Sequence, residues 1–171
     1  MNDIKFYVRT TGDRKFNYDI PHEVILDTER KPIDSFINLL EKIDGEQAVI
    51  LEDDLVLCDN FVDEISKVIE KYPNDIINFF TRPDRYFTTS YNNVFSYNQC
   101  TYYPKGIGKY LADKMREIRK PYHRKMYGML LNEALNESGI RHLNYRPCLV
   151  QHVDGLSLLT GIVYNRQTIY F

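Results

Sequence analysis

The sequence has no tryptophan and only three cysteines, Cys58, Cys100 and Cys148, whose wide spacing differs from that of metal-binding motifs. It has no apolar run near the ~20 residues that a membrane-spanning helix needs, and its N-terminal residues lack a signal-peptide pattern. We therefore expect no membrane span, and we interpret the cysteines as reduced thiols of a cytoplasmic protein.

The chain also lacks a large excess of positive or negative charge. The chain of 171 residues carries 22 Lys and Arg against 24 Asp and Glu, a formal net charge of -2, which excludes a general attraction to nucleic acid. No glycine-rich phosphate loop is present, which argues against P-loop ATPases and dinucleotide-dependent dehydrogenases. Length and a hydrophobic content of 43% predict one globular domain over residues 1–171.

What is present is an alternation of strand and helix patterns. Short β-rich runs predict strands at Ile4–Thr10, Glu23–Leu26, Ala48–Leu51, Asp75–Thr81 and Val94–Tyr103. Apolar stripes predict helices opening at Pro32, capped by Asp59 or Asn60, and covering Ile107–Lys120 and Tyr122–Asn136. This order predicts an α/β fold with a central, mostly parallel sheet flanked by helices.

Three consecutive carboxylates, Glu52, Asp53 and Asp54, follow the apolar run Ala48–Leu51. A solvated acidic turn is one interpretation, but a strand buried on both faces directly before the acids favours a binding site. Their mutual repulsion calls for a cation or hydrogen-bond donors, so removal of one acid is expected to leave the ligand-free protein at least as stable. Because ligands of such sheets bind beyond the carboxyl ends of strands, the same edge is expected to collect the segments 10–14 and 81–85 and Asp27.

A histidine and a basic segment each allow two interpretations. A lone histidine such as His152 is more often structural than a metal ligand, although a neutral imidazole suits Mn2+. The sequence alone does not bring His152 near Asp54. The segment Lys105–Lys125 holds eight cations, which indicate either a solvated helix face or a local surface for a phosphate-bearing partner such as DNA.

Three motifs occur in order along the chain, at Ile50–Asp54, Tyr102–Gly106 and Pro147–Ser157. They resemble those of GT-A-type glycosyltransferases, a group that includes N-acetylglucosaminyltransferases and small bacterial and phage enzymes. Ile50–Asp54 resembles the DXD-type Glu-Asp-Asp after a central strand, and Tyr102–Gly106 resembles a Tyr-Pro-Arg-Gly segment before a helix. Pro147–Ser157 is similar to a Pro-Ser-Leu-Val-Gln-His-Val-Gly-x-x-Ser segment. The resemblance covers nearly the whole chain and implies a single-domain, Rossmann-like GT-A fold.

The resemblance also implies roles for particular residues. Asp54 and His152 would hold Mn2+ or Mg2+ on the diphosphate of a UDP-sugar donor. Glu52 would face the ribose and Asp53 the transferred sugar. By their location, three further residues would hold the nucleotide: Thr10, Arg14 and Asp27. The implied activity is that of a hexosyl- or N-acetylhexosaminyl-transferase acting on a glycan, protein or nucleic-acid acceptor.

The chain departs from the family pattern at two positions. The carboxylate that similar sequences carry after Lys-Pro-x is replaced by His123, so His123 or another group such as Asp84 would be the catalytic base. Asp154 stands where a glycine is usual. Two alternatives stay open: a non-catalytic protein that binds nucleotide sugars or another partner, and a transferase whose DNA acceptor docks on Lys105–Lys125.

Overall fold

A seven-stranded sheet is the centre of the fold in the computed structural model, which describes residues 3–80, 89–92, 98–123, 126–153, 155–156 and 163–164. The strands are β1 (Ile4–Thr10), β2 (Glu23–Leu26), β3 (Gln47–Glu52), β4 (Leu55–Leu57), β5 (Ile76–Asn78), β6 (Ser90–Asn92), β7 (Cys100–Tyr103), β8 (His142–Asn144), β9 (Val150–His152), β10 (Gly155–Leu156) and β11 (Val163–Tyr164). The helices are α1 (Pro32–Lys42), α2 (Phe61–Lys71), α3 (Gly108–Ile118) and α4 (Tyr127–Glu137), with a 3-10 turn at Pro121–His123.

The sheet is mixed, with most strands running in one direction. Its order is β2-β1-β3-β7-β5-β8-β6. β2, β1 and β3 are mutually parallel, β5 is parallel to β8, and β7 lies antiparallel between β3 and β5. The edge strand β6 is antiparallel to β8. The predicted α/β class and helix-flanked central sheet are therefore confirmed, with two strands of the seven reversed.

The strand β3 is buried on both faces, as its apolar run predicts. Ala48 and Ile50 pack into the core under α1, α3 and α4, whereas Val49 and Leu51 pack into the core under α2. This alternation follows from the two-residue period of a strand. The sheet is thus the middle of three layers, and its inner strand β3 leads directly into the acidic segment.

Two predicted elements differ from the observed ones. The predicted helix Tyr122–Asn136 is wrong at its start, because the chain forms the 3-10 turn first and α4 begins only at Tyr127. The predicted strand Val94–Tyr103 is observed as β7, while residues 93–97 lie outside the described part of the chain. No helix within the described ranges is long and apolar enough to be a membrane span.

A second, two-stranded sheet joins distant parts of the chain. β4 pairs antiparallel with β9, and this register places Leu55 opposite His152 and Leu57 opposite Val150. The backbone N–H of Val153 also donates to the carbonyl oxygen of Asp54, at 2.8 Å. The segment around His152 is therefore fixed against the acidic segment by backbone hydrogen bonds.

Close packing of α3 on α1 gives a first prediction. A Cβ at Gly108 would lie 2.1 Å from the backbone oxygen of Leu40, whereas a Cβ at Gly128, in α4, would meet nothing within 4 Å. Gly108→Ala should lower the free energy of unfolding by about 1–3 kcal/mol, as overpacking does. The matched change Gly128→Ala should be neutral or stabilising by up to ~1 kcal/mol, because alanine favours helix. Urea denaturation measures both, and equal effects would contradict the packing described.

Candidate functional site

The predicted residues meet at the carboxyl edge of the parallel strands. Thr10 ends β1, Asp27 follows β2, and Glu52 ends β3 with Asp53 and Asp54 directly after it. The segment 81–85 with Asp84, which the sequence placed beside this edge, lies outside the described residues, as does Asp154.

Glu52 faces inward and has two polar partners. Its Oε1 atom lies 3.1 Å from Arg9 Nη1 and accepts a hydrogen bond from the Tyr127 hydroxyl. The Arg9 guanidinium lies over the Tyr127 ring, 4.3 Å from its centroid. Burial raises the pKa of Glu52, and the neighbouring aspartates add to the rise, although Arg9 opposes it. The carboxylate expected to face a ribose is therefore already engaged with protein groups.

Asp53 is buried and is held by two residues that were expected to bind nucleotide. The Thr10 hydroxyl donates to Asp53 Oδ2 at 2.5 Å, and Arg14 Nη1 lies 3.3 Å from Asp53 Oδ1. Thr10 Oγ1 in turn accepts the backbone N–H of Gly12 at 2.9 Å. The Thr10 hydroxyl thus contacts the acidic segment, where it orients the Asp53 carboxylate.

Asp54 lies between a guanidinium and an imidazole. Its Oδ2 atom is 2.5 Å from Arg14 Nη1 and 3.2 Å from His152 Nε2. Burial alone would raise the pKa of Asp54, but His152 and Arg14 together outweigh it and lower the pKa below its ordinary value. Two buried atoms of this pair, Asp54 Oδ1 and His152 Nδ1, have no hydrogen-bond partner among the described residues.

Backbone contacts fix the turn that carries the acids. The Tyr18 hydroxyl donates to the carbonyl oxygen of Glu52 at 2.7 Å and accepts the backbone N–H of Leu55 at 3.0 Å. One phenol thereby ties the residue before Asp53 to the residue after Asp54. On the other side, the N–H of Glu52 donates to the carbonyl of Gln99 at 2.9 Å.

Asp27 lies at the expected edge but has a structural contact. Its backbone N–H donates to the carbonyl of Thr10 at 2.8 Å, and its Oδ1 atom accepts the N–H of Lys31 at 2.9 Å, just before α1. The carboxylate therefore helps to begin α1 in this structure.

The contacts of His123 do not favour its predicted role as catalytic base, which stays a prediction. The side chain is fully buried, with Nδ1 accepting the N–H of Lys120 at 2.9 Å and Nε2 lying 3.0 Å from Glu133 Oε2. Both nitrogens are engaged, so the ring has no free acceptor for the proton of an incoming hydroxyl. The expected helix start is a 3-10 turn of three residues, whereas α4 begins four residues later. His123 anchors this turn to α4.

The basic segment Lys105–Lys125 is largely ion-paired where the structure describes it. Four of its cations contact acids, in the pairs Lys109–Asp113, Lys114–Glu137, Arg116–Glu41 and Arg119–Asp34. Arg124 and Lys125 lie outside the described residues. A phosphate-rich partner would have to break these pairs, so the pairing favours a solvated helix face that also ties α3 to α1.

Three contributors to the site were missed by sequence reasoning. The alternation of β1 puts Arg9 with Lys5 on the polar side of the strand, yet Arg9 is buried beneath α1 and α4, with Nη2 donating to the carbonyl of Pro32 at 3.1 Å. Tyr18 and Tyr127 come from segments without a motif. The available signal was the arginine itself, since a cation in an apolar strand beside a strand that ends in acids indicates a buried ion pair.

The donor set can be tested against the cation that the resemblance implies. Asp54 and His152 supply a carboxylate and an imidazole in contact, a pair that suits Mn2+. The unpartnered Asp54 Oδ1 is an oxygen that a cation would satisfy. No group of three or more His, Cys, Asp or Glu side chains in the described ranges forms a complete metal site. Asp54 and His152 would therefore supply two ligands, and a cation held by them would take its remaining ligands from water or from a bound phosphate group.

The structure reverses the expected effect of removing Asp54. Its carboxylate is compensated by Arg14 and His152 instead of being destabilised by its neighbours. Asp54→Asn should lower the free energy of unfolding by about 1.5–3 kcal/mol, the usual contribution of hydrogen bonds to a charged group. Asp59→Asn, the same change at an exposed position, should have little effect. A stability of Asp54→Asn at or above that of the wild type would contradict this compensation.

The same contacts predict how stability depends on pH. The pKa of Asp54 is lower in the folded than in the unfolded protein, so its contribution is complete above the unfolded value of about 3.9 and is lost in more acidic solution. The difference in unfolding free energy between wild type and Asp54→Asn should shrink as the pH falls below about 4. Glu52, with a raised pKa, contributes in the opposite sense, so the mutant difference is the quantity to measure. A difference that grows in acid would contradict the prediction.

Comparisons with known proteins give little beyond this geometry. No family model matches the chain, and no curated protein matches it. Among solved structures, the crystal structure of A197 from STIV matches with 11% sequence identity and a TM-score of 0.49, over 100% of this chain and 98% of that chain. A likeness of this degree carries no conclusion about function.

Proposed function

We propose that this chain is a metal-dependent glycosyltransferase of the GT-A type. It would move a sugar from a nucleoside diphosphate sugar, with UDP as its nucleotide, to an acceptor hydroxyl. The observation that carries the proposal is the contact of His152 Nε2 with Asp54 Oδ2 at 3.2 Å. The two residues belong to separate motifs that resemble those of these transferases, and the proposal requires both to meet at one cation.

The sheet supports the same proposal. Five of its seven strands run in one direction, and the acidic segment follows the inner strand β3 at the carboxyl edge. This edge is where nucleotide ligands bind in open α/β sheets. The β4–β9 pair carries His152 and fixes it beside the acidic segment.

Asp54 and His152 would hold the cation, Mn2+ or Mg2+. When bound, the cation supplies positive charge to the diphosphate as it leaves the sugar. Thr10 keeps Asp53 oriented at the end of the strand, and Arg9 with Tyr127 fixes Glu52 beneath it. The protein thereby presents carboxylates whose positions are set before a donor arrives, which reduces the reorganisation needed for transfer.

A non-catalytic nucleotide-sugar-binding protein is the second candidate. The observation that favours it is the burial of His123, whose two nitrogens are engaged by Lys120 and Glu133. Such a protein would bind a nucleotide sugar with Mn2+ without hydrolysing or transferring it. Binding and turnover therefore have to be measured separately.

The experiment is a thermal-shift panel of UDP, GDP, CMP and their sugars, with and without Mn2+, followed by donor hydrolysis. A ligand at 100 times its dissociation constant stabilises by about 2.7 kcal/mol, which such a panel resolves. Wild type and Asp59→Asn should respond to UDP-sugar with Mn2+, whereas Asp54→Asn and His152→Ala should lose the Mn2+-dependent part of the response.

The outcomes separate the candidates. Slow, Mn2+-dependent donor hydrolysis by wild type, absent in Asp54→Asn, supports the transferase. Binding without any turnover supports the second candidate. If no nucleotide or nucleotide sugar shifts the melting temperature under either condition, both candidates are wrong.

A further inference from the structure

We infer that Arg14 is the built-in counter-charge of the proposed cation site, and that a divalent cation must displace its guanidinium from Asp54. The inference rests on the cation site of the proposed function and adds a competing residue to it. It does not depend on which sugar or acceptor is used.

The first step is the position of the guanidinium. Arg14 Nη1 lies 2.5 Å from Asp54 Oδ2 and 3.3 Å from Asp53 Oδ1, so one nitrogen bridges the two carboxylates. His152 Nε2 contacts the same Asp54 oxygen. The group between these acids already carries the positive charge that a metal ion would bring.

The second step is accessibility. The Arg14 side chain is 27% exposed, compared with 6% for Asp53 and 14% for Asp54. Arg14 also lies in the irregular segment between β1 and β2, whereas His152 belongs to β9. Among the described partners of the two aspartates, Arg14 is therefore the most exposed and lies outside the strands, so its guanidinium borders solvent into which it can be displaced.

The third step is electrostatic. A cation bound to Asp54 beside an unmoved guanidinium would place two positive charges at one carboxylate, which disfavours both. A displaced guanidinium would be available to a phosphate group, which arginine binds with parallel hydrogen bonds. Mn2+ and a nucleoside diphosphate would thus each favour the displaced position of Arg14, so each should tighten the binding of the other.

The test is a titration with MnCl2 alone, in the absence of nucleotide, followed by the EPR signal of free Mn2+. Arg14→Gln should bind Mn2+ at least about tenfold more tightly than wild type, because its competitor has been removed. The matched control is Arg30→Gln, which changes net charge equally. Arg30 is 58% exposed and pairs with Asp13, so its replacement should leave Mn2+ binding unchanged.

A second readout uses the melting temperature. Without its guanidinium, the Asp53–Asp54 pair loses a positive partner, so Arg14→Gln should melt below wild type in EDTA. Mn2+ should then raise its melting temperature by more than it raises that of wild type. If Arg14→Gln does not fold in EDTA, refolding in Mn2+ should restore the folded protein.

Equal or weaker Mn2+ binding by Arg14→Gln overturns the inference, as does a folding defect that Mn2+ does not correct. A tenfold gain that also appears in Arg30→Gln overturns it, since net charge would then be the cause. Because the titration contains no nucleotide sugar, Arg14 can be shown to compete with Mn2+ even if the transferase proposal fails. Conversely, if wild type hydrolyses the donor and Arg14→Gln binds Mn2+ as wild type does, the inference about Arg14 is wrong and the proposed function stands.

Discussion

The structure depends on placing three negative charges at the end of a strand that is buried on both faces. Each carboxylate has its own compensation, from Arg9 for Glu52, from Thr10 for Asp53, and from Arg14 and His152 for Asp54. Three of these groups, Arg9, Thr10 and Arg14, come from one short stretch of chain at the end of β1. The parallel register of β1 and β3 sets Arg9 directly beside Glu52. The strand pairing that builds the sheet therefore also brings compensating groups to the acids.

The compensation has an inner and an outer part. The inner part, Arg9 with Glu52 and Tyr127, lies between α1 and α4 and is part-buried, so loss of one partner should cost less than the ~3–5 kcal/mol of a fully buried ion pair. The outer part, in which Arg14 contacts both aspartates, is partly open to solvent. The inner ion pair gives the site a rigid base, and the outer contacts are the ones that a ligand can exchange.

Local patterns predicted much of the fold and the position of the acids. The bounds of β1 and β2 and the start of α1 agree with the sequence prediction, because each has a clear period or a proline at its first turn. The contact of His152 with Asp54 could not be predicted from the residues alone, because β4 and β9 have three residues each and pair across most of the chain. The resemblance to a family had to supply that step.

The errors have physical causes of the same kind. His123 was assigned to a helix start from the proline before it, but the N–H of Met126 closes the turn on the carbonyl of His123 before α4 begins. Arg9 was assigned to a polar face because strand periodicity does not show which helices cover it. Local sequence describes elements well, whereas burial of a charged side chain is decided by distant segments.

The pairing of β4 with β9 has a consequence for how the molecule reaches its native state. Contacts between residues far apart in sequence require closure of a long loop before they contribute, so they tend to form late. β1 and β3 can pair from the first third of the chain, but the imidazole reaches the carboxylate only after the C-terminal segment has docked. During synthesis, the acidic segment therefore has Arg9, Thr10 and Arg14 nearby before His152 can reach it.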